Sequence, residues 1–404
     1  MHSLSESVMG AQQNIKKIYL FSFFWMFLVI IPIIVPYFLK LGLSMEEVFK
    51  LQAIFGISVA ILEVPSGYLS DLWGRKNTLI IGALLTAIGF TWLCWIQSFT
   101  ELVLYEILIA IGLSMVSGTD LSILYDSLHI LKTERESATK AMGNIHFAQL
   151  SSESIASVLG GALATFSFQA PLIVHAIISW IPVLIAFSIF EPKVEKNQGR
   201  IDHIAQIKEI LFHVFKKDSL LRLIFINLVV WGLSTFIAVW MFQKYWSDAS
   251  VDIKYFGLLW ASYNILAGFT GKWAHWFEKK LGITLVLALT CLLPAIGYFG
   301  MGLTGGIAGI LFGLCFQVSR GLNQVIIRDA LNARIDNTFR ATINSISSLF
   351  FRLGFAVFGP LIGFSIDHSG VKATMIYIGI VFLVLALLLM LPLVLTVRSA
   401  QRKA

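Results

Sequence analysis

Ionisable side chains are scarce in this sequence, and the few that interrupt its apolar runs are the ones placed to do chemistry. The decapeptide GYLSDLWGRK, residues 67–76, gathers Asp71, Arg75 and Lys76 around Gly67 and Gly74. Farther along, polar side chains recur at helical spacing inside apolar runs: His146, Gln149, Glu153 and Ser157, then Gln317, Arg320 and Gln324, then Asn344, Ser348 and Arg352. Each set keeps to one helical face, so those faces border water or one another. An ionisable group within a membrane span costs at least about 2.5–3.5 kcal/mol on insertion scales and therefore turns towards a cavity or a partner. A carboxyl there that takes a proton from one side and yields it to the other would couple a solute to a proton gradient. Glu153 is the first candidate: its face carries His146, Gln149 and Ser157 in place of Lys or Arg, and desolvation penalises the charged form of a carboxyl. Glu63, Asp120 and His146 follow it. The plainer readings are a permanent hydrogen bond to a neighbouring helix for Glu153, and helix packing for His146 and His175.

These residues need elements to hold them, and composition says which. Of 404 residues, 57% are hydrophobic and 13% charged, against about 25% charged in soluble proteins; the mean hydropathy is +0.81. A bilayer span takes about 20 apolar residues, and twelve runs of that kind can be marked: 17–39, 45–69, 77–97, 99–128, 138–166, 170–190, 220–243, 253–274, 282–302, 304–331, 341–366 and 371–397. The chain reads as an all-α, multi-pass membrane protein with the lipid bilayer as its first partner. The net charge of +7 does not point to nucleic acid, because the bases cluster at the ends of the runs. The polar N-terminus leads into a full-length run without a small-residue cleavage site, so the first run is expected to remain. Cys94, Cys291 and Cys315 lie singly inside runs and make neither a disulfide framework nor a metal site.

Placing the N-terminus inside puts 23 of the 30 Lys and Arg on the inner side and five on the outer side: Lys40, Lys50, Lys244, Lys254 and Lys372. Both termini and the decapeptide then face the cytoplasm. Residues 191–219 are the long polar interruption, expected to be a linker whose Ile204, Ile207, Leu211 and Val214 form a helix along the membrane surface. It separates bundles at 1–190 and 220–404. The two halves repeat: DSL at 126–128 recurs as DAL at 329–331, and the decapeptide falls over GKWAHWFEKK, 271–280, with His275 under Asp71. Two parallel six-helix repeats point to a secondary transporter with its site between the halves near mid-membrane.

Gly67, Asp71, Gly74, Arg75 and Lys76 match the G-x-x-x-D-x-x-G-R-K loop of the major facilitator superfamily, and the chain resembles that family over essentially its whole length. The resemblance implies two pseudo-symmetric six-helix bundles and a functional monomer. It also implies a cytoplasmic gate, in which Asp71, Arg75 and Asp126 latch the inner side while the cavity is open outward. Gly67 would allow close helix approach and Gly74 a tight turn; Asp71 would face the start of the eleventh span, where the helix dipole favours an anion. An interface anchor is the competing reading, but anchoring needs bases and not Asp71. By depth along their helices, Glu63 and Arg352 lie about 12 and 16 Å in and are expected to pair. Arg320, Arg352, Gln317, Gln324, Asn344, Trp25, Trp231 and Tyr263 are the substrate-cavity candidates.

Drug–proton antiporters of the family carry an Arg in the fourth span and G-P-x-x-G-G in the fifth; here stand Glu106 and ASVLGG, 156–161. Two transport readings therefore stay open. Aromatic and acidic cavity residues favour proton-driven export of an amphipathic compound. Arg320 and Arg352 favour proton-coupled uptake of a polar or anionic solute, such as an organic acid or a siderophore. No H-E-x-x-H or G-x-S-x-G occurs, so no enzyme is expected. No cofactor or metal is expected beyond a proton gradient as energy source, and the setting is a bacterial inner membrane.

Overall fold

The computed structural model describes residues 2–132, 135–192, 212–336 and 339–401. Among them there is no strand, and each of the twelve expected runs is helical over most of its length. Among the described residues seven helical stretches, some of them broken, are long and apolar enough to cross a membrane, the longest holding two runs joined at Gly370. Met45–Trp73 qualifies as a pair bent by 48° between Glu63 and Pro65, because proline removes a helix hydrogen bond and its ring clashes with the preceding turn. The expected surface helix of the linker falls mostly on 193–211, outside the described residues.

Local chemistry sets the ends. Ser98 and Glu101 form a reciprocal capping box at the start of Phe99–Val116, satisfying two donors that would otherwise be orphaned. Asp218 accepts from the amides of Leu220 and Leu221 at 3.0 and 2.9 Å and starts Ser219–Asp248. Hydroxyls within spans, such as Thr86, Thr91 and Thr290, donate to the carbonyl four residues back, the partner within reach where no water is available.

The chain divides into two compact units. One comprises Met1–Leu43, Ile54–Gln198 and Asp252–Ala261; the other comprises Ser44–Ala53, Gly199–Val251 and Ser262–Ala404. Each thus includes a ten-residue segment from the opposite half of the sequence. In the first unit the core is mostly aliphatic, with Ile18, Leu79, Ala83, Ile123 and Leu124 fully buried around Phe21. In the second it is aromatic: Trp231, Phe242, Tyr298 and Phe316 are all buried, and Tyr298 stacks on Phe382 at 5.8 Å. Leu303, Ile307 and Phe166 are by contrast 72, 78 and 83% exposed, which is stable against lipid tails as apolar as they are.

Several expected spans are broken. The first runs His2–Trp25 and resumes as Ile31–Ile33 and Ile34–Lys40. The fourth divides into Phe99–Val116 and Thr119–Ile130 at Gly118, whose φ is +81°. The sixth divides before Pro182, which stands in the first turn of Ile181–Ser188. Irregular backbone at membrane depth is tolerated only where it is buried in protein or lines a cavity, so these breaks are where a site can be built.

Candidate functional site

The decapeptide forms the join between Met45–Trp73 and Arg75–Leu93. Gly74 holds φ +88° and ψ 149° as the residue before the second helix, a conformation that side chains resist. The Arg75 guanidinium donates to the Ser122 carbonyl at 2.9 Å and forms an ion pair with Asp126. Asp71, itself exposed, contributes its charge to the same guanidinium, as does Glu191. Glu191 joins this cluster, and the sequence did not single it out. Its two carboxylate oxygens accept from the amides of Arg75 at 2.9 Å and Lys76 at 2.6 Å, placing an anion on a helix N-terminus. Buried Asn14 fixes it there: the Asn14 amide accepts from Phe190 N at 2.9 Å and donates to Phe190 O at 2.8 Å. No described atom lies within 4 Å of where a Cβ would stand at Gly67, so the close approach expected there is not made in this structure.

The second unit repeats the arrangement with different chemistry. His275 Nε2 meets Asp329 Oδ2 at 3.1 Å, and Nδ1 meets Glu278 Oε2 at 3.2 Å. Asp329 is the repeat counterpart of Asp126, so each unit pairs that aspartate with a basic side chain, Arg75 in the first and, from a different repeat position, His275 in the second. The sequence register needs one correction. The glycine with the Gly74 conformation is Gly282, φ +80° and ψ 148°, rather than a residue within 271–280. The short helix Ala274–Leu281 inserts an extra turn ahead of it.

Glu153 lies half-buried on Arg135–Ala164 and accepts a hydrogen bond from Trp260 Nε1 at 3.0 Å. The register of that contact has a local cause. A Cβ at Gly257 would fall 2.0 Å from the Ser157 carbonyl, so only a glycine lets the two helices cross there. Trp260 then stands one turn beyond the crossing, and Glu153 one turn before it on its own helix. Gly257→Ala is expected to cost on the order of 1–3 kcal/mol, as overpacking does. A thermal-unfolding midpoint several degrees below wild type would show it; an unchanged midpoint would mean that the crossing is not tight. The Asp252 carboxyl, on the loop leading to this segment, accepts from Lys254 N at 3.1 Å. That amide, with the Lys254 ammonium, holds the carboxyl below its ordinary range.

The break in the first span abuts the same helix. Ser152 donates to the Phe23 carbonyl, and Gly160 sits against the Val29 carbonyl, where a Cβ would be 1.9 Å away. Trp25 ends His2–Trp25 and stacks on Phe21 at 5.6 Å. The first unit therefore brings together a carboxylate, an indole donor, an aromatic stack and irregular backbone.

The remaining candidates are placed as follows. Glu63 is half-buried just before the bend, and His146 is exposed. Asp120 accepts from Leu121 N at 2.7 Å in the first turn of Thr119–Ile130. In the second unit, Arg352 Nε lies 3.4 Å from Ser348 Oγ and Asn344 donates to Asn332 Oδ1 at 2.8 Å. Arg320 is half-buried and Gln324 exposed. Gln317 is 2% exposed, with its Oε1 lacking a hydrogen-bond partner among the described residues. Trp231 is fully buried and donates to Asn227 at 2.7 Å; Tyr263 donates to the Ile310 carbonyl at 2.6 Å. Both spend their polar groups on helix packing. A second residue missed from sequence is Asp367, whose carboxylate accepts from Met45 N at 2.9 Å and Glu46 N at 2.8 Å. Among the described residues no group of His, Cys, Asp and Glu could hold a metal ion.

Comparisons with known proteins agree with this architecture. The Major Facilitator Superfamily model matches residues 18–339. An uncharacterized MFS-type transporter of Bacillus subtilis (strain 168), YxaM, is 23% identical over 379 residues, which is 90% of each chain. The nucleoside transporter NupG superposes with a TM-score of 0.78 at 15% identity, over 93% of this chain and 98% of that one. A bacterial homologue of the human lysosomal transporter Spinster, solved inward-facing and unoccupied, gives 0.73 at 15% identity over 97% of each. Helical architecture, repeat and sequence match lead to one conclusion: the chain belongs to the Major Facilitator Superfamily and is a membrane-spanning transporter, not an enzyme.

Proposed function

We propose that the chain moves a small molecule across the bacterial inner membrane by alternating access, coupled to protons. In this reading residues 1–190 and 220–404 are the moving bodies, joined by the linker, with both termini cytoplasmic. The protein acts as a monomer and uses no cofactor but the proton gradient. The observation that carries the coupling is the hydrogen bond from Trp260 to Glu153. An indole N–H can only donate, and an ionised carboxylate accepts more strongly than a protonated one. Proton uptake by Glu153 therefore weakens its hold on a segment contributed by the other half of the sequence, and proton loss restores it. That ties a proton to a contact that must be remade in each cycle.

The aromatic cluster at the first-span break, Phe23 against Phe24 and Phe27, favours an amphipathic cargo and export. A second reading is uptake of a polar or anionic solute; the unpartnered acceptor of buried Gln317 favours a polar solute that carries a donor, since a buried acceptor left without one is costly. The likeness to a nucleoside transporter sits with this second reading as fold-level analogy.

The test is a thermal-shift screen of drugs, nucleosides and organic acids on purified protein, where a ligand stabilises the state it binds. Each stabilising compound is then applied to proteoliposomes containing a pH-sensitive dye. A cargo should change lumenal pH, alkalinising or acidifying according to direction. Stabilising compounds that cross the bilayer only through the protein, yet leave lumenal pH unmoved, would rule out proton coupling.

A further inference from the structure

The second unit carries a groove of about 470 Å³ on its outer surface, lined by Leu292, Ile296, Phe299 and Leu303 of Ile283–Leu303, with Phe312 and Leu383 from two neighbouring helices. Its depth comes from small residues on the floor. Ala295 is 3% exposed, and at Gly300 a Cβ would meet the Phe312 ring at 2.1 Å, so Phe312 lies flat against bare backbone. The lining positions recur every three or four residues and form one helical face. Leu303 is 72% exposed and Leu292 42%, so the groove opens sideways rather than towards the buried aromatic core.

Two measurements give the groove an orientation and a length. From Leu292 to Leu303 the helix rises about 16 Å at 1.5 Å per residue, which is close to half of the roughly 30 Å hydrocarbon thickness. Beyond Leu303 the helix stops, and the apolar lining gives way to Thr304. There the exposed Lys372 brings its Nζ within 3.1 Å of where a Cβ would stand at Gly305. One end of the groove is thus a cation at interface depth and the other is hydrocarbon at mid-bilayer. A lysine stem follows apolar surface while its ammonium stays at headgroup level.

We infer that this groove binds one acyl chain of an anionic phospholipid from the leaflet on the Lys372 side, with the headgroup phosphate paired to Lys372. The chain supplies a linear apolar body one leaflet long, and burying it contributes about 0.8 kcal/mol per CH₂ taken from water. Neighbouring lipids offer the same hydrocarbon, so within a bilayer the preference comes from the concave fit and the charge. A purely annular contact would have neither a saturable site nor a dependence on the headgroup.

The test uses purified, delipidated full-length protein in neutral detergent, titrated with phosphatidylglycerol or phosphatidylcholine of identical chains and read by native mass spectrometry. The first phosphatidylglycerol should bind saturably and at least threefold more tightly than phosphatidylcholine. Lys372→Gln should erase that ratio, and Lys372→Arg should keep it. Ala295→Leu, which fills the floor, should weaken both lipids. Should that variant fail to fold, competition on the wild type decides the same point: lysophosphatidylglycerol displaces the lipid, and glycerol phosphate does not. Equal affinity for the two lipids, adducts that never saturate, or an unchanged ratio in Lys372→Gln would overturn the assignment.

Discussion

Glu153→Gln is expected to abolish accumulation driven by an imposed pH gradient while leaving exchange of cargo down its own gradient largely intact. The substitution keeps side-chain size and an oxygen able to accept from Trp260 Nε1, now 3.0 Å away, but fixes the group in a neutral form. If the contact between Arg135–Ala164 and the Trp260 segment is modulated by charge on Glu153, the Gln variant holds it with one constant strength. Conformational exchange continues, and its link to the proton is cut. The expected loss is at least tenfold in the steady-state concentration ratio in proteoliposomes, with counterflow within about twofold of wild type, as for a lost coupling interaction of about 1.4 kcal/mol or more. Trp260→Phe separates the partner from the titrating group. It removes the donor and leaves the carboxyl, so it should alter the pH dependence of exchange while retaining some uphill transport. Uphill transport preserved in Glu153→Gln would move the proton to another residue, with Asp120 or His146 next to be examined.

The difference between what was readable in the sequence and what was not follows from the range of the forces involved. Spans were legible because the bilayer imposes the same demand on every one, about 20 apolar residues in a row, and the helices found cover all twelve runs. The breaks at Trp25–Ile31 and Gly118 were not: hydropathy does not change across the first, and the short polar stretch SGTD at 117–120 does not end the fourth run; the decisive factors are one left-handed glycine and the packing of Gly160 against Val29 O. Gly74 was legible because a glycine between an acid and a base at a helix join has a local, conformational reason. Gly282, with the same conformation in the second half, was not singled out, because an amphipathic extra turn, Ala274–Leu281, shifts the register without altering composition. Glu153 stood out as a carboxyl on a polar face, yet its partner Trp260 lies 107 positions away. Glu191 and Asp367 act on amides 115 and 322 positions distant. No spacing rule encodes such partners, although an acid placed immediately after an apolar run, as in FEP at 190–192, is a usable hint of a cap on a neighbouring helix.

Arg75→Ala is expected to lower both stability and transport, and pairing it with Asp126→Ala is expected to restore only the first. Arg75 and Asp126 side chains are 22 and 16% exposed, so deleting the guanidinium leaves a largely buried carboxylate without its counter-charge. Breaking a buried pair costs about 3–5 kcal/mol, and the residual exposure here reduces that to about 2 kcal/mol through solvent screening. Removing Asp126 as well takes away the stranded charge, and most of the loss should be recovered in the thermal midpoint. Transport behaves differently if the cluster is a gate. A latch acts through charge order, Asp71 beside Arg75 with Glu191 on the helix start, and neither variant retains that order. The double variant should therefore be as stable as wild type within about 1 kcal/mol, the uncertainty of a single surface-type pair, and still transport at less than a tenth of the wild-type rate. Asp71→Asn offers the same separation from the opposite side. Asp71 is exposed, so its neutralisation should leave the thermal midpoint unmoved while transport falls. Wild-type transport rates in both Asp71→Asn and the Arg75→Ala, Asp126→Ala double variant would reduce the decapeptide to an interfacial anchor. In that case its charges would serve only to hold the loop at the membrane surface, and the His275–Asp329 pair of the second unit would be expected to do no more.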